Sequence, residues 1–222
     1  MPAAHIAIWS IAGLSILLML LHPRDLPEAW WIGMGAAALI AFGLIPLPLA
    51  IHAIAKGTDV YLFLAGMMLL AELAQRHGVF NWLAALAIEH ARGSRTRLFG
   101  LIYIAGTLVT IFLSNDATAV VLTPAVLAAA RRSKVEPIPY LFVCAFIANA
   151  ASFVLPISNP ANLVVFRSGM PPLAEWLRIF LVASLFSIAA TYLALRWYCR
   201  KDLKGNIESV SETVHLTEAG KG

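Results

Sequence analysis

The residues best equipped for chemistry lie in the run Phe112-Leu113-Ser114-Asn115-Asp116-Ala117-Thr118-Ala119, where a carboxylate, an amide and two hydroxyls interrupt a long apolar stretch. Polar and ionisable groups are costly to place in hydrocarbon, so at membrane depth they mark a solute or ion path by default. Asp116 can gain and lose a proton there, while Ser114, Asn115 and Thr118 can donate and accept hydrogen bonds. A second run, Leu155-Pro156-Ile157-Ser158-Asn159-Pro160-Ala161-Asn162, has the same character. Each of its prolines removes an amide donor and crowds the preceding turn, so a helix through this run must break. Ahead of the break, Asn149, Ser152 and Pro156 recur at helical spacing and give the approaching helix one polar face.

The elements that must position these residues are membrane helices. Hydrophobic residues make up 60% of the chain and charged residues 13%, and the apolar residues come in blocks of bilayer-spanning length. The blocks fall at about 6–21, 30–55, 61–74, 98–130, 138–166 and 176–198, with the charges collected between them and Trp30, Trp31, Trp82, Trp176 and Trp197 near their ends. The opening Met1-Pro2-Ala3-Ala4-His5 has no basic n-region, so the first block reads as a membrane helix and not as a signal peptide.

The block 98–130 decides the topology. It is too long for one ordinary crossing and short for two crossings with a turn, each of which needs about 20 residues. Its flanks, Arg92, Arg95 and Arg97 on one side and Arg131, Arg132 and Lys134 on the other, are the most basic loops in the chain. Basic loops stay in the cytoplasm, so both flanks are expected on that face and the block between them is expected to be a re-entrant hairpin with its tip at Ser114–Thr118. Side chains at the tip can cap the following half-helix, whose first amides would face an anionic or oxygen-rich solute. Paired with the break at 156–162, this is the arrangement in which secondary carriers build their sites.

The expected fold is therefore an all-α integral membrane protein of about five transmembrane helices and one re-entrant helical hairpin. Residues 1–200 form the membrane part, and 201–222 a polar tail or the start of a linker. Five crossings put the N-terminus outside and the tail in the cytoplasm, in the cell (inner) membrane. An odd count is what an inverted repeat requires of its first half, and the chain contains no second pair of breaks.

The other polar residues have ordinary roles. Glu72 precedes Arg76 by one turn and is expected to pair with it. His5, His22, His52, His77, His90 and His215 show no metal-ligand spacing, and Cys144 and Cys199 lie too far apart to make a thiolate cage, so neither a metal site nor a cofactor is expected. No membrane-embedded histidine stands beside Ser114 and Asp116, which argues against an intramembrane enzyme and leaves no catalytic residue to name. The net charge of +4 comes mainly from the loops placed in the cytoplasm, and reports orientation, not nucleic-acid binding.

The runs Ser114–Pro124 and Pro156–Val165 resemble the ArsB-type arsenite/antimonite efflux permeases of the ion transporter superfamily, and Leu73–Arg92 looks like that family's short interfacial helix before the hairpin. The resemblance covers about residues 60 to 198. It implies a carrier in which a hairpin tip and an unwound helix each supply a Ser-Asn clamp: Ser114, Asn115, Asp116 and Thr118 on one side, Ser158, Asn159 and Asn162 on the other, with Asn149 and Ser152 on the adjoining polar face. Arsenite or antimonite efflux with proton coupling is the leading expectation. Na⁺/H⁺ antiporters and dicarboxylate or citrate carriers share the architecture. The implied partners are a small inorganic or anionic solute, a proton or Na⁺ as coupling ion, and the lipid bilayer. Family members have two inverted halves and about twice this length, so a second transporter half, a homodimer mate or an ATPase subunit joins the list, and a non-transporting truncated half-carrier is the remaining reading.

Overall fold

A computed structural model describes residues 2–23, 26–166 and 169–207. Most of the tail expected from residue 201 lies outside them. The described residues are helical, with no strand beyond one isolated bridge between Ser94 and Asn206, and they fall into two units, Met1–Asp59 and Val60–Gly222.

The first unit holds α1 (Pro2–Leu21), α2 (Glu28–Ala41) and α3 (Leu47–Lys56). α1 and α2 pack where the Ser15 hydroxyl lies against Gly35, a place with no room for any side chain, the close approach that small residues allow between membrane helices. Ser15 meanwhile satisfies its own hydroxyl by donating to the Ile11 carbonyl at 2.8 Å. The apolar block 30–55 is two helices and not one. Gly43 turns into the left-handed region at φ 66°, and Pro46 caps α3 with φ −62°, so the chain bends between Phe42 and Pro46 and neither piece is long enough to span.

The second unit opens with most of α4 (Thr58–Arg76) and continues with α5 (Val79–Ala91) and α6 (Arg95–Leu113). α5 buries Phe80, Ala84, Ala87 and Ala91, one stripe at helical spacing that packs on α6. Next come α7 (Asn115–Ala117), a π-helical turn (Thr118–Leu122) and α8 (Thr123–Arg132), then α9 (Ile138–Ala150), a 3₁₀ turn (Pro156–Ser158), α10 (Pro160–Val165) and α11 (Leu173–Tyr198). Among the described residues four helices are long and apolar enough to cross a membrane: α1, α4, α6 and α11. This is an all-α membrane protein. The sequence had suggested five crossings; the block 30–55 is divided as above, and 138–166 is interrupted after 13 residues of α9.

α6 and the chain from Asn115 to Arg132 run antiparallel. The Thr110 and Thr118 hydroxyls meet at 2.8 Å, and a Cβ on Gly106 would touch Leu122 at 3.7 Å and Ile147 of α9 at 2.9 Å. Gly106 is thus what lets three helices close on one another. At the far end of this hairpin the Tyr140 hydroxyl donates to the Arg95 carbonyl, Thr96 Oγ1 donates to the Leu203 carbonyl at 3.2 Å, and the Ile207 amide donates to Gly93 at 2.7 Å. These bonds gather the basic segments 92–97 and 196–204 at one end of the unit, to which α8, running antiparallel to α6, also brings 131–134. α6 is 19 residues long, so the tip lies about 28 Å from that basic end at 1.5 Å per residue.

Candidate functional site

The tip is made by one residue in an unusual conformation. Ser114 has φ 104° and ψ 162°, a region that glycine alone enters easily, and it is almost fully buried. Its carbonyl-side neighbours form α7, and its Oγ accepts from the Ala117 amide at 3.5 Å, so the same side chain ends one helix and caps the next. Thr118 Oγ1 shares a proton with Thr110 Oγ1 and reaches the Ser114 carbonyl at 3.5 Å. Thr123 Oγ1 donates to the Thr118 carbonyl at 3.0 Å, a bond across five residues that accompanies the π turn.

The second break folds against the first. Ser158 is fully buried; its hydroxyl accepts from the Leu155 amide at 3.1 Å and donates to the Ile111 carbonyl at 2.9 Å. That carbonyl lies four residues before Asn115, where α6 has already ended, so Ser158 supplies the donor that the broken helix no longer has. Asn162, also buried, donates to the Ser152 and Pro156 carbonyls at 3.1 and 3.2 Å, and Asn159 Oδ1 caps α10 by accepting from Ala161 at 2.9 Å. Trp176 of α11, fully buried, fixes the rear of the break with a bond from its indole N–H to Phe153 O at 3.0 Å and with Phe166 and Phe180 packed on its ring. Two interruptions some forty residues apart in sequence are one structure in space.

The nine residues expected at the site do not all face a solute. Ser114, Thr118, Ser158 and Asn162 are buried and occupied with backbone groups that the breaks expose. Ser152 bonds back to Ala148 O at 2.6 Å and Asn149 to Ala145 O at 3.3 Å, each within its own turn, Asn149 is exposed, and Asn159 Oδ1 is taken by the Ala161 amide. What remains is narrower. Asn115 Oδ1 is buried with no hydrogen-bond partner among the described residues. Asp116 accepts no hydrogen bond from them and is exposed to a cleft of about 160 Å³.

That cleft lies between the tip and α4. Ser114, Asp116, Ala117, Val120 and Val121 form one wall, and Leu64, Met67, Met68, Ala71, Glu72 and Gln75 the other. The expected pair of Glu72 with Arg76 is present, Nε to Oε1 at 2.8 Å, but Glu72 also looks into the same cleft as Asp116. Sequence reading placed this glutamate at a membrane interface and missed its relation to the tip. Its helical spacing with Leu64 and Met68, which puts it on the same face of α4, was the available signal.

Residues 8–214 match the citrate transporter family, CitMHS. The chain is 27% identical over 204 residues to the arsenical pump membrane protein of Escherichia coli, covering 88% of this chain and 46% of that protein. It is 29% identical over 203 residues to the arsenical pump membrane protein of Yersinia enterocolitica, covering 87% of this chain and again 46% of the relative. The chain thus spans less than half the length of these relatives. No solved structure matches it. Apolar helices, a pair of polar breaks folded into one site and a family match over nearly the whole chain agree: the protein is a membrane protein of the citrate transporter family, similar to the arsenical pump membrane proteins.

Proposed function

We propose that the chain is the substrate-binding half of a secondary carrier that moves arsenite or antimonite out of the cell in exchange for protons, with the hairpin tip as a re-entrant element in the inner membrane. The observation that carries this is the pairing of two broken elements that leaves Asn115 Oδ1 and the Asp116 carboxylate without partners. Both are acceptors. The hydroxyls of a neutral trihydroxide such as arsenous acid are donors and would complete the carboxylate that lines the cleft, and a movement of the tip that uncovers Asn115 would add the second acceptor; the names of the relatives point to the same solute class. Citrate or another carboxylate, the solute suggested by the family's title, finds a less suitable surface: the cleft contains Asp116 and Glu72, and the nearby Arg76 is already bonded to Glu72.

In this reading Asp116 is the group that carries the coupled proton, protonated on one face and released on the other as the tip changes its exposure. Ser114 and Ser158 hold the two broken elements in register. The basic end of the second unit lies in the cytoplasm, as the positive-inside rule requires, and the tip therefore faces toward the opposite side. A complete alternating-access device needs a second half, from a separate chain, a longer form of this one or a second copy.

The test is arsenite extrusion in everted vesicles of a metalloid-sensitive host, with the chain expressed alone and with a second half supplied. Asp116→Asn keeps size and most hydrogen-bonding capacity, so it should bind solute but lose dependence on the pH gradient, whereas Asn115→Ala should weaken solute binding at every pH. Wild-type pH-coupled transport by Asp116→Asn would end the proton-carrier reading.

A further inference from the structure

The end of the second unit opposite the tip is basic. A cavity of about 410 Å³ there is lined by Thr96 at the start of α6, by Arg196 on α11, and by Arg200, Leu203, Lys204 and Gly205 just beyond it. Arg95 lies behind the Gly205 wall, its guanidinium within 3.9 Å of where a Cβ on that glycine would stand, and its Nε is buried with no acceptor. We infer that this cavity is a binding site for the phosphate headgroup of an anionic phospholipid.

Four observations support a ligand here and not merely a solvated basic face. The ion pairs among the described residues are His22 with Glu28 and Arg76 with Glu72, so none of Arg95, Arg196, Arg200 or Lys204 has a carboxylate partner there. Asp202, on the same turn, is not in the cavity wall. The cations that do have contacts keep them with neutral groups: Arg196 with the Tyr192 hydroxyl at 3.4 Å, Arg200 over the Trp197 ring at 5.5 Å, and Arg95 with the Lys204 carbonyl at 3.5 Å. Among the described residues no carboxylate pairs with these cations around the concavity.

The walls are held in place by long-range bonds: Thr96 to Leu203, Ile207 to Gly93, and the bridge between Ser94 and Asn206. A flexible basic tail would have none of these. The cavity also lies at the ends of α6 and α11, both of spanning length, and the α11 surface leading to it exposes Leu193, Trp197 and Tyr198. Basic pockets between helices at the cytoplasmic surface bind anionic headgroups, with acyl chains along the apolar flank. A free phosphate ion would use the cations and leave that flank unused, so the lipid is the ligand the whole surface fits.

The experiment measures binding of phosphatidylglycerol to the detergent-purified chain by native mass spectrometry and by thermal stabilisation. Phosphatidylcholine and inorganic phosphate serve as parallel probes. Arg196→Gln/Arg200→Gln/Lys204→Gln should weaken phosphatidylglycerol binding about 100-fold, roughly fivefold for each cation. A matched variant, Arg131→Gln/Arg132→Gln/Lys201→Gln, removes the same charge outside the cavity wall and should change it less than threefold. Equal losses in both variants, equal binding of phosphatidylcholine, or stabilisation by inorganic phosphate that matches the lipid's would overturn the assignment.

Discussion

Ser114 should be more stable as glycine than as alanine, against the ordinary order of the two residues. With φ 104° and ψ 162°, its backbone occupies a region open essentially to glycine, at a cost of about 1–3 kcal/mol for any other residue. Ser114→Gly removes that strain. It also gives up a cap bond that is already long at 3.5 Å, worth a few tenths of a kcal/mol relative to glycine, and adds about 0.5–1 kcal/mol of chain entropy to the unfolded state. The net expectation is a gain of about 1 kcal/mol. Ser114→Ala keeps the strain and loses the cap, a cost of about 1 kcal/mol. The two variants should therefore differ by about 2 kcal/mol, or about 4–8 °C in Tm if this chain responds like soluble domains of its length. Thermal unfolding in one detergent, followed by size-exclusion recovery or a thiol-reactive dye, reads the difference. A glycine variant that melts at or below the alanine variant would refute the strain argument and with it the account of why the tip turns at this residue.

Three further outcomes follow from the bonds around the tip. Thr118→Val should cost about 1–2 kcal/mol by stranding the Thr110 hydroxyl, and Thr110→Val/Thr118→Val should cost less than the two singles added together; additivity in a thermal-melt double-mutant cycle would mean that the 2.8 Å pair is not a coupled unit. Asn162→Ala leaves two carbonyls without their donor and should lower stability by about 2–4 kcal/mol, while Asn149→Ala, exposed and bonded only within its turn, should stay within about 0.5 kcal/mol, as recovery of folded protein after solubilisation would reveal. Single cysteines replacing Arg97 and Arg132, with Cys144 and Cys199 changed to alanine, should label from the same face of sealed vesicles; labelling from opposite faces would contradict the hairpin.

The parts of this structure that were legible in the sequence are those written by backbone chemistry. Pro156 and Pro160 announce a helix break wherever the chain goes, and Ser114-Asn115-Asp116 in an apolar run announces a cap. Both breaks are where the residues put them. Basic flanks likewise signalled which loops share an end, and Tyr140, Arg95, Thr96 and Leu203 are bonded there. Less visible was the division of 30–55, because Gly43 and the short run to Pro46 sit inside a block whose mean composition is that of one helix. Invisible altogether was the partner of each hydroxyl. That Ser158 would serve the Ile111 carbonyl and not a solute depends on how two distant segments pack, and no spacing rule records it.

The packing also changes what kind of site this is. A count of polar residues in the two runs, with Asn149 and Ser152 just ahead of the second, suggests nine ligands around a solute, a number suited to a highly charged or heavily hydrated species. The bonds assign most of them to the backbone: a broken helix exposes carbonyls and amides that must be satisfied in a medium without water, and Ser114, Thr118, Ser158 and Asn162 do that work. Broken elements thus use up polar residues in proportion to the backbone they free. What is left without a bond to the backbone is Asn115 Oδ1, which is buried, and Asp116, which shares a cleft with the Glu72 that pairs with Arg76. In the carrier proposed above, such a surface would favour a small hydrogen-bond donor or a proton over a multivalent anion.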